Sequence, residues 1–352
     1  MKIALLFDGA STLGASPDLL ILDTIEAIEG VLIAEGNEVV RVSAHTDARW
    51  VERVRRGKFD LIFNLCEGID GIAALEPAAI SILELLGVPF TGGSSWSTAL
   101  SLRKHAVNSM LDRAGLPVPR FALAHDGAPL PTVGFPAICK PAAEDASIGI
   151  EQSSVVRTAR ALAARVEAMH KRWPEVLVQR YIDGREVNVG ILGEAVLPIS
   201  EIHFDKMPRG KWRIVSYRAK WEGGSDEDVG TSPHCPADLP PKLAAEVKSM
   251  AMAAWRLLGG HGYGRVDMRI DRAGRPWILE VNANPDMAPD AGLARMALAA
   301  GMDYGALVRT VCELALEHHA LAAERDWTLA QRLSGAASIA EATALDMFST
   351  GR

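Results

Sequence analysis

The sequence predicts an α/β chain, with an open parallel-sheet domain first and mixed α+β units after it. Two observations carry that reading. Over residues 1–96, short continuous apolar runs alternate with segments long and apolar enough for helices packed on a sheet. From residue 97 on, single helices separate further strands, and residues 263–282 read as a hairpin. The length of 352 residues suits two or three such units.

Each element has a local reason. "KIALLF" (2–7) is a continuous apolar run, as in a parallel strand buried on both faces. "DGASTLGASPD" is a loop, and residues 18–35 are an apolar helix. "EVVRVS" (38–43) and "FDLIFNLCEG" (59–68) are strands, residues 75–87 a helix, and "GGSS" (92–95) a turn. The second unit, 97–184, opens with a helix from Thr98 to Gly115. It continues with the strand "FPAICKP" ending at Lys140, the small-residue loop "AAEDASIGI", a helix near 157–172 and the strand "EVLVQRY". The third unit, 185–320, holds the strands "REVNVGILG" and "AVLPISEIHF" and a polar loop over 205–236 with poor periodicity. A helix over 241–258, the hairpin, and helices near 291–300 and 304–320 complete it. His318 and His319 fall on the last helix and read as solvent-facing. Residues 321–352 form an Ala-rich helical extension and tail.

Composition narrows the function classes. Apolar residues make up 49% and charged residues 23%, a globular balance. A net charge of -7 argues against a dedicated nucleic-acid binder. Cys66, Cys139, Cys235 and Cys312 are far apart and lack CxxC or Cys/His metal spacing, which suits a reducing cytoplasm. The apolar run at the N-terminal end is too short for a signal segment, and no stretch reaches the ~20 apolar residues of a membrane span.

The hairpin carries the first chemical signal. With its turn at Ala273-Gly274, Asp267 faces Glu280 and Arg265 faces Asn282. Val266, Met268 and Ile270 then face Val281, Leu279 and Trp277, leaving one wholly apolar face. Two carboxylates directly opposed on one face repel. Either solvent and Arg265 offset that repulsion, or a divalent metal does. Asp267, Glu280 and Asn282 are hard oxygen donors of the kind that hold Mg²⁺ beside phosphate, with Glu280 able to bridge two ions. Lys140 ends a strand before a loop of small residues whose N–H groups could meet phosphate. Taken singly, Lys104, Lys140 and Lys220 read as ordinary surface lysines, and neither a P-loop nor a dinucleotide fingerprint is present.

Taken in order, Lys104, "FPAICKP", "VLVQRYIDGREV", "RAKW", "GYGRVDMRID" and "WILEVNANPDM" resemble the ATP-grasp superfamily, in its D-alanine–D-alanine ligase-like branch. The similarity covers roughly residues 1–315. The resemblance implies a three-domain ATP-grasp fold with an N-terminal Rossmann-like domain. It implies that Lys104 and Lys140 contact the α- and β-phosphates of ATP, with Ser147 in the phosphate loop. Gln179, Arg180, Tyr181 and Ile182 would read adenine, largely through backbone groups, and Glu186 would bind the ribose. Lys220 would reach the γ-phosphate from a mobile 205–236 loop. Asp267, Glu280 and Asn282 would hold two Mg²⁺ ions, with Mn²⁺ as a substitute. Arg265 would stabilise the transferred phosphoryl group and the oxyanion. The implied reaction joins a small-molecule carboxylate to an amine through an acyl phosphate, giving ADP and phosphate. No nucleic-acid or membrane partner is implied, and the family is often homodimeric through its first domain.

The amino-acid half departs from the family pattern. The family's Glu in the first loop, which holds a substrate amino group, is matched by Leu13, with acids only at Asp8 and Asp18. The paired serines of the phosphate loop become Ala146-Ser147. Beyond the metal strand Asp286 and Asp290 are added and a Ser is absent. These changes direct the expectation to a carboxylate–amine ligase whose substrates are not two D-alanines. Two other readings compete: D-alanine–D-alanine ligase itself with a divergent pocket, and a nucleotide-binding protein without turnover. The complete Lys, Arg and acid set disfavours the last.

Overall fold

The computed structural model describes residues 1–12, 19–322 and 324. Leu13 and Asp18 of the first loop, and the extension proposed beyond residue 324, lie outside the described residues.

Strands β1 (Lys2–Asp8), β2 (Glu38–Ala44) and β3 (Leu61–Leu65) form a parallel sheet in the order β2-β1-β3. Helix α1 (Leu19–Ala34) packs on one face through Ile25, Ile28 and Leu32. Helices α2 (Arg49–Gly57) and α3 (Glu76–Leu86) cover the other through Trp50, Val54, Ala79 and Leu83. β1 is buried on both faces, as its unbroken apolar run requires. The strand expected over 59–68 stops at Leu65, because Asn64 turns its Oδ1 back to the Cys66 N–H and ends the ladder.

The single helix expected from Thr98 to Gly115 is two. α4 (Ser95–Ser101) is capped by Ser94, and α5 (Lys104–Arg113) starts after a break at Leu102-Arg103. β4 (Phe121–His125), β5 (Ala137–Pro141), β6 (Val155–Val156) and β7 (Glu175–Arg180) make an antiparallel sheet in the order β4-β7-β5-β6. α6 (Ala159–His170) covers one face.

The third sheet runs β11-β10-β8-β12-β13, with β9 (Ala195–Val196) beside β8 (Gly184–Leu192). β10 spans Ser200–His203, β11 Ser232–His234, β12 Tyr263–Asp271 and β13 Pro276–Asn282. One face is apolar and packs on α5 and α9 (Pro241–Leu257) through Val107, Leu111, Val247 and Trp255. The opposite face carries the polar side chains. The hairpin register is as the sequence dictates for Arg265↔Asn282, Val266↔Val281 and Asp267↔Glu280. It then shifts by one at a bulge, so Met268 faces Ile278, Arg269 faces Trp277, and Ile270 faces Pro276. Leu279 is therefore displaced, and Ile278 rather than Leu279 enters the core.

The 205–236 segment is ordered rather than a plain loop. It contains α7 (Tyr217–Trp221), α8 (Asp226–Val229) and β11, and Ser216 and Ser225 cap the helices. α10 (Gly292–Ala299) and a helix over residues 304–322 pack against the α1 side of the first sheet. His318 is not simply solvent-facing, since its ring stacks on His261 at 3.8 Å. Among the described residues, no helix is long and apolar enough to cross a membrane.

Candidate active site

The polar face of β8, β12 and β13 looks toward the end of β5 and the loop after it. Lys104, Lys140, Asp145, Ser147 and Glu280 line one cavity of about 50 Å³ there. Residues far apart in the chain thus meet: the start of α5, the end of β5 and the middle of β13.

Lys104 is buried, at 5% exposure, and ion-pairs with Asp145 and, at 3.4 Å, with Glu280. Burial opposes its charge, but the two acids outweigh burial and raise its pKa above the ordinary lysine range. Lys140 is also buried, and among the described residues no carboxylate lies within ion-pair distance of it. Burial and the neighbouring Lys104 lower its pKa. Glu280 shows the reverse balance. Burial would raise its carboxyl, yet Lys104, Lys140 and Arg265 together hold it at about 2. It is thus a fixed negative charge at neutral pH.

Arg265 grips Asp267 with two hydrogen bonds of 2.7 and 2.8 Å, and Asn188 donates to the same carboxylate at 2.6 Å. Asn282 accepts the Asn284 N–H through Oδ1. Among the described residues no three His, Cys, Asp or Glu side chains cluster as a ready metal site. The donor set is two carboxylates and an amide oxygen. It fits a hard divalent cation that also draws oxygens from a phosphate ligand.

The residues expected to read a nucleotide fall beside this face. Glu186 pairs with buried Arg269 at 2.6 Å, a partner the sequence reading missed. Arg269 also donates to the carbonyls of Ile182 and Arg213 and lies over the Tyr181 ring. In the connector, the Arg180 and Tyr181 N–H groups are already bound by Arg120 and Pro136 carbonyls, so neither is free for adenine. The Gln179 side chain is buried, and its Nε2 lacks a hydrogen-bond partner among the described residues. Such an orphaned donor suits a heterocyclic acceptor.

Lys220 is exposed, with its ammonium over the Trp221 ring at 4.9 Å. Its segment docks on the phosphate loop at three points: Trp221 Nε1 to the Ala146 carbonyl, Ser147 Oγ to the Val215 carbonyl, and the Tyr217 N–H to the Ile150 carbonyl. Ala146 and Ser147 hold the loop in the left-handed region, at φ 54° and 62°. L-residues adopt this backbone at a cost and mostly at functional sites.

Glu67 was missed. It follows β3, keeps contact with solvent, and lies in the charge field of Lys220, Arg265, Asp286 and Asp145. Partial desolvation, with Asp286 and Asp145 nearby, shifts its carboxyl upward against the pull of Lys220 and Arg265, a shift that its exposure to solvent moderates. Asp286 accepts the Ala288 N–H in its own turn, and Asp290 is exposed.

Comparison with known proteins agrees with this architecture. Residues 111–313 match the family model described as D-ala D-ala ligase C-terminus. A protein of Bordetella petrii named D-alanine–D-alanine ligase is 33% identical over 333 residues, covering 90% of this chain and 93% of its own. Another of that name from Dechloromonas aromatica is 35% identical over 66% of this chain and 74% of its own. The crystal structure of D-alanine–D-alanine ligase from Bacillus anthracis complexed with ATP has the same fold, with a TM-score of 0.74 at 22% identity. It covers 91% of this chain and 98% of that one. The chain belongs to the D-alanine–D-alanine ligase family of ATP-grasp enzymes, ligases that form a carbon–nitrogen bond.

Proposed function

We propose that the chain joins two D-alanines at the expense of ATP, releasing ADP and phosphate. The observation that carries this is the 33% identity, over nine-tenths of the chain, to a protein named for that reaction. It favours D-alanine over the expectation, drawn from the loop sequences, that the substrates differ. Asp286 also gives less ground for that expectation, because part of its charge is taken by its own turn.

In this reading, Lys104 and Lys140 hold the phosphate chain and Glu186 the ribose. Gln179 Nε2 and the backbone of Ile182 meet adenine. Asp267, Glu280 and Asn282 hold Mg²⁺, which when bound neutralises phosphate charge. An oxygen of the first substrate's carboxylate bonds to the γ-phosphorus as the bond to the ADP oxygen breaks. The second substrate's neutral amine then bonds to the acyl carbon. Phosphate leaves with the electrons of the broken C–O bond, and the extra proton on nitrogen passes to solvent. Arg265 and Lys220 offset the charge that develops on the phosphoryl and acyl oxygens. The ordered 205–236 segment excludes water from the hydrolysable acyl phosphate. A cytoplasmic setting, with the four cysteines kept as thiols, and a homodimer through the first domain belong to the same proposal.

A second reading, another acid and amine, draws support from Ala146 in the phosphate loop, where the family carries the first of its paired serines and this chain keeps only Ser147. The test is D-alanine-dependent phosphate release with the product identified by mass. D-alanyl-D-alanine formed at an ordinary enzyme rate, on the order of 1–10³ s⁻¹, supports the first reading. Turnover only with a different pair supports the second.

A further inference from the structure

We infer that Arg269 is a positioning residue that couples nucleotide binding to the seating of the 205–236 segment over the site. One guanidinium holds Glu186, the connector before it and the start of that segment together. The inference rests on the ligase reading above, in which Glu186 meets the ribose of ATP.

Placement is the first argument. Arg269 lies within β12, directly across from Glu186 of β8, and only 3% of it is exposed. A buried cation is tolerated only where its donors are matched. Its Nε and Nη2 donate to Glu186 Oε2 at 3.1 and 2.6 Å, and its Nη1 donates to the Ile182 carbonyl at 2.7 Å. Its Nη2 also donates to the Arg213 carbonyl. These partners come from three separate pieces of chain: β8, the connector before it and the 205–236 segment.

The start of the segment is built around the same group. The Arg213 carbonyl also accepts from Tyr181 Oη at 3.1 Å, and the Trp212 ring meets the Tyr181 ring edge-on at 5.1 Å. The guanidinium lies over the Tyr181 ring at 5.0 Å and the Phe204 ring at 5.8 Å. The segment thus rests on Arg269 and Tyr181 at one end and, through Val215 and Trp221, on the loop after β5 at the other.

Glu186 keeps one oxygen for a ligand. Arg269 takes Oε2, and among the described residues no hydrogen bond or ion pair reaches Oε1. A ribose hydroxyl donating to Oε1 fixes the carboxylate. The guanidinium is planar and rigid, so it cannot release one partner without disturbing the others. A fixed Glu186 therefore holds the Arg213 carbonyl and the segment that follows it. By linkage, the seated segment tightens nucleotide binding by the same factor. Lysine in this place would keep the charge but lose the fork that spans the three partners.

The test is hydrogen exchange over 205–236 in the full chain, with Mg²⁺ and either adenylyl imidodiphosphate or the same nucleotide lacking both ribose hydroxyls. In wild type the intact nucleotide should slow exchange, and the dideoxy form should slow it less at equal saturation. Arg269→Lys should bind the intact nucleotide roughly tenfold more weakly. Once saturated, it should leave the segment exchanging at its unliganded rate. A merely structural role would lower the melting temperature yet keep the ribose-dependent protection. Glu186→Gln, which keeps the side-chain shape, should lose the same protection, and it carries the test if Arg269→Lys does not fold. Ribose-dependent protection retained in either folded variant, or wild-type protection indifferent to the ribose hydroxyls, overturns the inference. Protection lost as expected, with no D-alanyl-D-alanine formed by wild type, keeps the coupling and sinks the ligase reading. Dipeptide synthesis with ribose-independent protection does the reverse. Wild type that does not bind the nucleotide overturns both.

Discussion

At the scale of single residues, the site is organised by competition for Lys104. Its ammonium is shared between Asp145 of the loop after β5 and Glu280 of β13. Asp145 thus occupies a place suited to a nucleotide phosphate, and the cavity of about 50 Å³ is far below the several hundred Å³ typical of ligand pockets. Asp145→Asn removes the competing charge without changing shape, so it should tighten ATP binding several-fold by calorimetry; weaker binding would show that Asp145 helps hold the nucleotide. Glu280→Gln should abolish Mg²⁺-dependent turnover, because a neutral amide is a poor cation bridge, while circular dichroism reports an intact fold. Of these residues, Lys104, Lys140 and Glu280 were legible from motif order. Glu67 was not, because "NLCEG" reads as strand running into turn, and only the sheet order brings it to the crevice outside β1 and β3. An acid immediately before a glycine at the carboxyl end of a parallel strand is the signal that could have found it.

At the scale of elements, hydrophobic patterning set the hairpin faces but not the bulge. Ile278 and Leu279 are both apolar, so a shift of one residue between Asp267 and Met268 leaves the pattern equally satisfied. The 205–236 segment escaped the pattern for another reason. Its helices are short, begin at serine caps, and are held by a polar hub rather than an apolar face. Buried Glu227 accepts from Lys211 at 2.9 Å, from Gln152 at 3.2 Å and from the Ser216 hydroxyl. Removing that carboxylate leaves the buried Ser216 hydroxyl without its acceptor, which costs about 1–3 kcal/mol, while Lys211 keeps Asp226 and Gln152 keeps the Trp212 carbonyl. Glu227→Ala should therefore release the segment from the phosphate loop. The expected readout is faster hydrogen exchange over 205–236 with ADP formed in excess of dipeptide, as water reaches the acyl phosphate. Coupled turnover with unchanged exchange would show that Trp221 and Tyr217 suffice to seat it.

At the scale of the whole molecule, the sheets are more interdependent than the segmentation at residues 97, 185 and 321 suggests. We carry those boundaries forward as topological divisions, one per sheet, but the cores cross them. The first sheet's α1 face is completed by Leu293, Met296, Leu307, Val308 and Val311 from the C-terminal helices, and by Tyr263 of β12. Asn284 bonds the Cys66 carbonyl and Glu76 across the same boundary. Sequence patterning could count the sheets because each has its own strand period. It could not show which helix covers which sheet, since the apolar stripe of residues 304–322 fits any apolar face. The packing has a testable consequence. A fragment of residues 1–96 keeps all of β2-β1-β3 yet exposes the α1-side core that the C-terminal helices bury. Losing the burial of several large side chains, at about 1.5–3 kcal/mol each, is comparable to the whole margin of about 5–15 kcal/mol that stabilises a typical domain. The fragment should therefore lack cooperative thermal unfolding and bind a hydrophobic dye, whereas the full chain should melt cooperatively. A sharp melting transition from residues 1–96 alone would mean that α2 and α3 supply core enough, and that the C-terminal helices dock on a domain already folded.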